Sequence, residues 1–448
     1  MIIAEPQLIE RLALWAIKER IPFLGHFGLT RHCNLMCSFC LWGKKLKPRG
    51  FMSQFLFKKA LSEMKEMGTF EIELTGGDPL LHPHLPDFIR IATDLRFVIA
   101  ITTNGLRLTE RNLSAIKEGL IAHVSVSIHG AKPETHDRIV GRPGAWNISL
   151  RNMEKLLDSG VRTIVCFVIT KENHQEVKNA KALFESMGAR FQMVLKLYNP
   201  FCLEEVEALK LRGHALADLM GLFPDPPVCP HPCGAFMNAV YINPNGDVWP
   251  CISFPFNLGN IGKTSFREIW EGINKETRAL RRNLVRAREK GVYRGVEYFC
   301  PSISRGYDGS LGGLEPHVKE IIDAWLNERN ESAKSNFSLD EVVSPDRQIA
   351  IKLGENHGFV PEDDVAFRLL RGREETYLVL WKRSTRRYAA LEGPWAEAVS
   401  CILSGQRIKD ALKILESSFK GFRMSEAIVD MEALLSEIAG MGFIKLAI

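Results

Sequence analysis

The sequence predicts an α/β chain. It starts with six strand-then-helix units, continues with a small cysteine-bearing module, and ends in a small α+β unit. Three observations predict it. Short apolar runs alternate with helical patterns from Phe23 to about Met220. A proline-rich break, Phe223-Pro-Asp-Pro-Pro, then changes the composition. Residues 346–448 carry a hairpin pattern, three amphipathic helices and a closing strand.

In order along the chain, Leu8, Leu12, Trp15 and Ala16 mark one face of a short N-terminal helix within residues 1–22. In residues 23–220, strands are expected at 24–30, 70–75, 97–103, 122–128, 161–169 and 190–197. Helices are expected near 54–67, 85–95, 109–119, 147–159, 174–187 and 204–220. Six such units in series imply a parallel sheet with helices on its outer face. Folds of that kind place their sites at the strand C-termini.

The first strand runs into Cys33-Asn-Leu-Met-Cys37-Ser-Phe-Cys40. Three thiolates on one short loop can grip three irons of a 4Fe–4S cluster and leave the fourth open. Zinc prefers four tetrahedral ligands, with His32 an awkward fourth here, and a disulfide leaves one thiol over. The second strand ends in Thr75-Gly76-Gly77-Asp78-Pro79 and the third in Thr102-Thr103-Asn104-Gly105. Both read as turns, the first with glycines that permit close backbone approach. The fourth strand gives Ser125-Val-Ser127-Ile-His129-Gly130, followed by His136-Asp137-Arg138 and Gly141-Arg142. Cys166, inside the fifth strand, reads as core filler.

Past the break, Cys229, Cys233, Cys251 and Cys300 suit either a fully ligated second cluster or a structural zinc within residues 221–315. Asn243-Pro-Asn-Gly246 reads as a hairpin turn carrying Cys251 on its return strand, and Cys202 is a spare thiol. Residues 316–345 read as a linker around one helical stretch.

Composition narrows the function class. The chain has 448 residues, 46% hydrophobic and 25% charged, with a net charge of +5, which does not suggest nucleic-acid binding. No apolar run reaches transmembrane length and no signal peptide is evident, so a cytoplasmic protein without membrane partners is expected. Ten cysteines in such a chain point to metal rather than disulfides.

The Cys33-x3-Cys37-x2-Cys40 spacing, with Phe39 before the last cysteine, resembles the cluster motif of the radical S-adenosylmethionine (radical SAM) superfamily. That resemblance implies a partial (β/α)6 barrel over residues 23–220 and a 4Fe–4S cluster on Cys33, Cys37 and Cys40, with S-adenosylmethionine chelating the open iron. One electron, from a flavodoxin- or ferredoxin-type reductant, then yields a 5′-deoxyadenosyl radical that takes hydrogen from the substrate. Gly76-Gly77-Asp78-Pro79 is similar to the family's Gly-Gly-Glu motif, with Asp78 in place of Glu, and implies a hold on the methionine end. By the same resemblance Thr103, Asn104 and Ser127 lie near the ribose, and Arg138 or Arg142 pairs with the methionine carboxylate. His129 stands where relatives carry Asp.

The run Cys233, Gly246-x4-Cys251, Leu258-Gly-Asn-Ile261 and Phe266-Arg-Glu-Ile-Trp270 is similar to the SPASM/twitch extension. It implies one auxiliary 4Fe–4S cluster on Cys229, Cys233, Cys251 and Cys300. The tail resembles the peptide-binding winged helix of the pyrroloquinoline quinone pathway (PqqD-like). It implies a precursor peptide whose leader adds a strand to an exposed edge of residues 346–448. A ribosomally made peptide, modified by radical chemistry, is therefore the expected substrate. The rivals are a small-molecule or porphyrin substrate with a structural tail, and a non-enzymatic zinc or iron–sulfur protein.

Overall fold

A computed structural model describes residues 2–3, 8–41, 50–201, 203–223, 233–272, 274–288, 292–293, 296–297, 300–308, 310–311, 315–328, 358–373, 375–418 and 424–447. Helix α1 (Leu8–Glu19) precedes six parallel strands: β1 (Leu24–Thr30), β2 (Glu71–Gly76), β3 (Val98–Thr103), β4 (Ile121–Ser127), β5 (Thr163–Val168) and β6 (Arg190–Val194). They pair in sequence order. Beyond β1 the sheet continues through β7 (Ala239–Ile242), β8 (Asp247–Trp249) and β9 (Gly259–Asn260), with β7 parallel to β1.

Alternation sets the two faces. Phe27, Leu74, Ile101, Val126 and Phe167 are buried on the helix side. The intervening His26, Glu73, Thr102, Ser127 and Cys166 are half-buried on the concave side. Helices α2 (Gln54–Glu66), α3 (Leu85–Asp94) and α4 (Glu110–Glu118) cover the outside. So do α5 (Pro133–Val140), α6 (Ala145–Asp158) and α7 (Val177–Ser186). Ser53 and Thr109 start α2 and α4 by accepting the backbone N–H of Leu56 and Asn112, satisfying donors a helix start leaves open. The expected helix at 204–220 is two, Leu203–Glu207 and Gly213–Met220, with Arg212 extended between them.

Helix α8 (Pro316–Glu328) corrects the linker expectation. Val318, Ile321 and Ile322 are buried in the main core, and His317 donates through Nε2 to Leu211 O at 2.7 Å. Its partner is the helix Gly213–Met220. Residues 329–345 lie outside the described set.

The C-terminal sheet is β10 (Val365–Arg371), β11 (Thr376–Lys382) and β12 (Arg387–Glu392), all antiparallel. Helices α9 (Gly393–Leu403), α10 (Ile408–Ser418) and α11 (Met424–Gly440) cover one face. The other face packs on the barrel. Ala366, Leu370, Val379, Trp381 and Ala390 share a core with Leu8, Leu12, Phe23, Phe70, Val98 and Leu120. The latter four sit at or just before strand N-termini, so the C-terminal unit closes the barrel end opposite the cysteine loop. Arg368, 4% exposed, fastens it by donating to Thr69 O at 2.8 Å and Leu95 O at 3.2 Å, with its guanidinium 4.5 Å over Phe97. The outer edge of β12 is not open, because the chain's own Ile2–Ile3 pairs along it.

Candidate cluster and cofactor site

The cysteine loop leaves the C-terminal end of β1 and is held from three sides. Met36 N donates to Val140 O at 2.9 Å and Ser38 N to Ile139 O at 3.0 Å, so α5 serves as its backing. Arg142 donates to Asn34 O at 3.1 Å, and Asn199 to Cys40 O at 2.7 Å. Leu35, Cys37 and Phe39 pack on Ile139, Val140 and Ala145, while Cys40 packs on Tyr241 and Trp249.

The thiols face one another. Burial pushes Cys33 up to about 11, with Asp78 and Cys40 adding to it. Cys37 is driven higher still by burial and then by Cys40 and Cys33. Each thiolate of a 4Fe–4S loop takes a different iron, so the three must neighbour each other without converging on one point. Among the described residues no three His, Cys, Asp or Glu side chains converge as ligands of a single ion would. The loop supplies three thiols, the donor set of a cluster with one iron left open and one short of the four ligands a zinc site takes. Iron bound here would displace the protons that burial holds on Cys33 and Cys37.

The Gly76-Gly77-Asp78 turn is locked against the loop's entry. Gly77 N donates to Thr30 O at 2.7 Å, and Asp78 N to His32 O at 2.9 Å. A Cβ at Gly77 would stand 2.2 Å from His32 O, and one at Gly76 (φ +132°) 2.3 Å from Thr30 O. Both glycines are therefore demanded by the close approach of two backbones. Asp78 is 1% exposed and its carboxylate accepts from Leu80 N (2.9 Å), Thr103 Oγ1 (2.8 Å) and Asn104 N (2.7 Å). Burial lifts it to about 6 against the pull of those three bonds. Its side chain ties the β2 loop to the β3 loop, and Pro79 opens the short 3₁₀ turn that follows.

Asn104, brought in by β3, donates through Nδ2 to Asn34 Oδ1 at 2.7 Å and lies 3.7 Å from Cys33 Sγ. Ser149 and Asn152 of α6 hold the carbonyls of Asn104 and Gly105. Ser127 ends β4 on the concave side. His129 is buried as a neutral strut, accepting Val168 N at Nδ1 (3.2 Å) and packing on Phe39 (4.9 Å). Burial, then neighbouring His136, holds its imidazole well below the ordinary value. Of the two candidate arginines, Arg142 meets the loop. Arg138 points away, 57% exposed and paired with Glu172 at 3.3 Å.

The concave face carries a polar layer that the sequence did not announce. Glu73 Oε2 lies 2.6 Å from His26 Nδ1, and Glu73 Oε1 accepts the Thr102 hydroxyl at 2.5 Å. Burial works against ionisation of Glu73, but the His26 bond and charge, with Thr102 and His123, hold it at about 2. Cys166 joins this layer through its inward position, which corrects its reading as core filler. Burial, then Glu73, pushes its thiol up to about 11. A signal was present, since alternation around Val165 and Phe167 points residue 166 inward.

In the second module Cys251 follows the β7–β8 hairpin, whose turn places Gly246 at φ +86°. Burial pushes the Cys251 thiol up to about 12, with neighbouring Cys300 adding to it. Tyr198 stands beside both, donating to Ser302 O at 2.7 Å. Cys233, Cys251 and Cys300 all border the main core. Cys229 and Cys202 lie outside the described residues.

Residues 28–184 match the Radical SAM superfamily, and residues 233–292 match SPASM, an iron-sulfur cluster-binding domain. An AdoMet-dependent heme synthase of Oleidesulfovibrio alaskensis is 27% identical over 281 residues, covering 54% of this chain and 72% of that one. The antilisterial bacteriocin subtilosin biosynthesis protein AlbA of Bacillus subtilis is 25% identical over 272 residues, covering 56% and 60%. Among solved structures, Streptococcus suis SuiB bound to S-adenosylmethionine superposes with a TM-score of 0.56 at 15% identity, covering 70% and 81%.

Proposed function

Since residues 28–184 match the Radical SAM superfamily and residues 233–292 match an iron–sulfur SPASM module, we propose that the chain is a radical SAM enzyme modifying a ribosomally made peptide. When bound on Cys33, Cys37 and Cys40, the cluster and S-adenosylmethionine together supply a 5′-deoxyadenosyl radical. The chain's own residues orient and shield that chemistry. Arg142, Asn104 and α5 fix the loop, Asp78 locks the adjacent turn, and His129 with Phe39 closes the rim between β4 and β5. Cys233, Cys251 and Cys300, with Cys229, are the proposed ligands of one auxiliary cluster.

The observation that carries the peptide reading is the C-terminal unit docked across the barrel end opposite the cluster loop. A bacteriocin biosynthesis protein among the relatives supports it. Leader addition at β12 requires displacing the two-residue strand Ile2–Ile3. A flavodoxin- or ferredoxin-type protein is the proposed electron source. The heme synthase similarity favours a second reading, a porphyrin substrate with the tail as a structural plug. The non-enzymatic rival is set aside by the superfamily assignment.

The test uses the reconstituted full chain, because residues 346–448 alone would expose Ala366, Val379 and Trp381. It is incubated with S-adenosylmethionine, reductant and a short peptide encoded beside its gene. A peptide mass change coupled to deoxyadenosine formation supports the peptide reading. Deoxyadenosine with unchanged peptide, alongside conversion of a porphyrin, overturns it.

A further inference from the structure

A cleft of about 210 Å³ opens where the β11–β12 hairpin meets the strand N-termini of the barrel. Lys117, Ser159, Arg162, Arg383, Ser384 and Arg386 line it. Arg383 is already engaged, donating to Gly119 O at 2.6 Å and to Lys117 O, the carbonyl end of α4. The other cations are not. None of Lys117, Arg162, Arg190 and Arg386 forms an ion pair with a described carboxylate. Arg162 is half-buried, and burial, Arg190 and Arg386 all disfavour its charge, while Tyr388 alone favours it. Arg386 sits at φ +59°, a left-handed backbone that costs an arginine about 1 kcal/mol over glycine. Like charges gathered at a junction, one of them on strained backbone, are stabilised by a bound anion.

We propose that this cleft binds an acidic peptide segment, its carboxylates lying along Lys117, Arg162 and Arg386. The cations come from three separate elements, the end of α4, the turn before β5 and the hairpin tip. That spread suits a row of carboxylates better than a single phosphate. The inference rests on the peptide reading and deepens it, since the cleft lies at the seam between the C-terminal unit and the barrel.

The experiment measures fluorescence anisotropy of a labelled oligo-glutamate peptide, and of its glutamine counterpart, with the full chain. Binding of the acidic peptide only is expected, weakened at least about tenfold in Arg162→Gln/Arg386→Gln. Arg162→Lys/Arg386→Lys keeps the charges and retains binding. Arg151→Gln/Lys178→Gln, an equal charge change on α6 and α7, leaves it unaltered. Equal binding by the cleft glutamine variant and wild type overturns the proposal, as does displacement of the peptide by millimolar inorganic phosphate. Peptide mass change is measured apart from this, so a null anisotropy result beside a positive mass change sinks the cleft alone.

Discussion

Replacing Gly77 with alanine tests whether the turn after β2 positions the cysteine loop. The new Cβ would lie 2.2 Å from His32 O, 2.6 Å from His32 C and 2.7 Å from Arg31 C, all backbone atoms. Ordinary contact begins at 3.4 Å, so the chain just before Cys33 must retreat by 3.4 − 2.2 = 1.2 Å. The bonds from Gly77 N to Thr30 O and Asp78 N to His32 O are strained with it. Overpacking of this kind costs about 1–3 kcal/mol, and misplacing a reacting group by ~1 Å slows a reaction about 100-fold. Gly25 provides the control, because its added Cβ meets no backbone: Met64 Cε, the free end of a flexible side chain, lies at 2.5 Å, Phe27 Cε2 at 3.3 Å and Ile72 Cγ2 at 3.7 Å. After anaerobic reconstitution, Gly77→Ala is expected to cleave S-adenosylmethionine about 100-fold slower, and Gly25→Ala near the wild-type rate. Wild-type cleavage by Gly77→Ala, or equal loss in both, would refute the reasoning.

Glu73 is held at about 2 by His26 and Thr102, below the ordinary 4.5. Its contribution is therefore present above the unfolded value and lost as pH falls from 4.5 towards 2. Thermal melts should show Glu73→Gln less stable than wild type at neutral pH, the gap closing with acidification; a pH-independent gap would contradict this. Arg368→Met removes a buried cation from carbonyls on the barrel and should destabilise docking of the C-terminal unit by about 1–3 kcal/mol. Denaturant unfolding should then separate into two transitions, and an unchanged single transition speaks against the role. Removing residues 1–3 frees the β12 edge and should tighten binding of the precursor peptide; unchanged affinity places the leader elsewhere.

The cysteine loop was legible because cluster ligands come from one local stretch, and spacing alone reports that. All six barrel strands were legible too, since apolar runs bounded by turn residues record strand burial directly. What holds the loop was not. Asn104 meets Asn34 across seventy residues of chain, and nothing local distinguishes Arg142, which reaches the loop, from Arg138, which faces solvent. Asp78 reads as a ligand contact by resemblance, yet three protein donors occupy its carboxylate. Helix α8 sits among polar, charged sequence and so resembled a linker, whereas its apolar side is buried. Packing of Ala366, Leu370 and Val379 on the barrel needed the tertiary arrangement, because this sheet is apolar on both faces and alternation does not say which face meets the barrel.

The most direct test of the radical site is iron and sulfide content with EPR on anaerobically reconstituted protein, comparing wild type with Cys33/Cys37/Cys40→Ala. The expected result is about eight irons falling to about four in the variant, with deoxyadenosine made only by wild type. About four irons that survive the triple substitution, or zinc in their place, would contradict it.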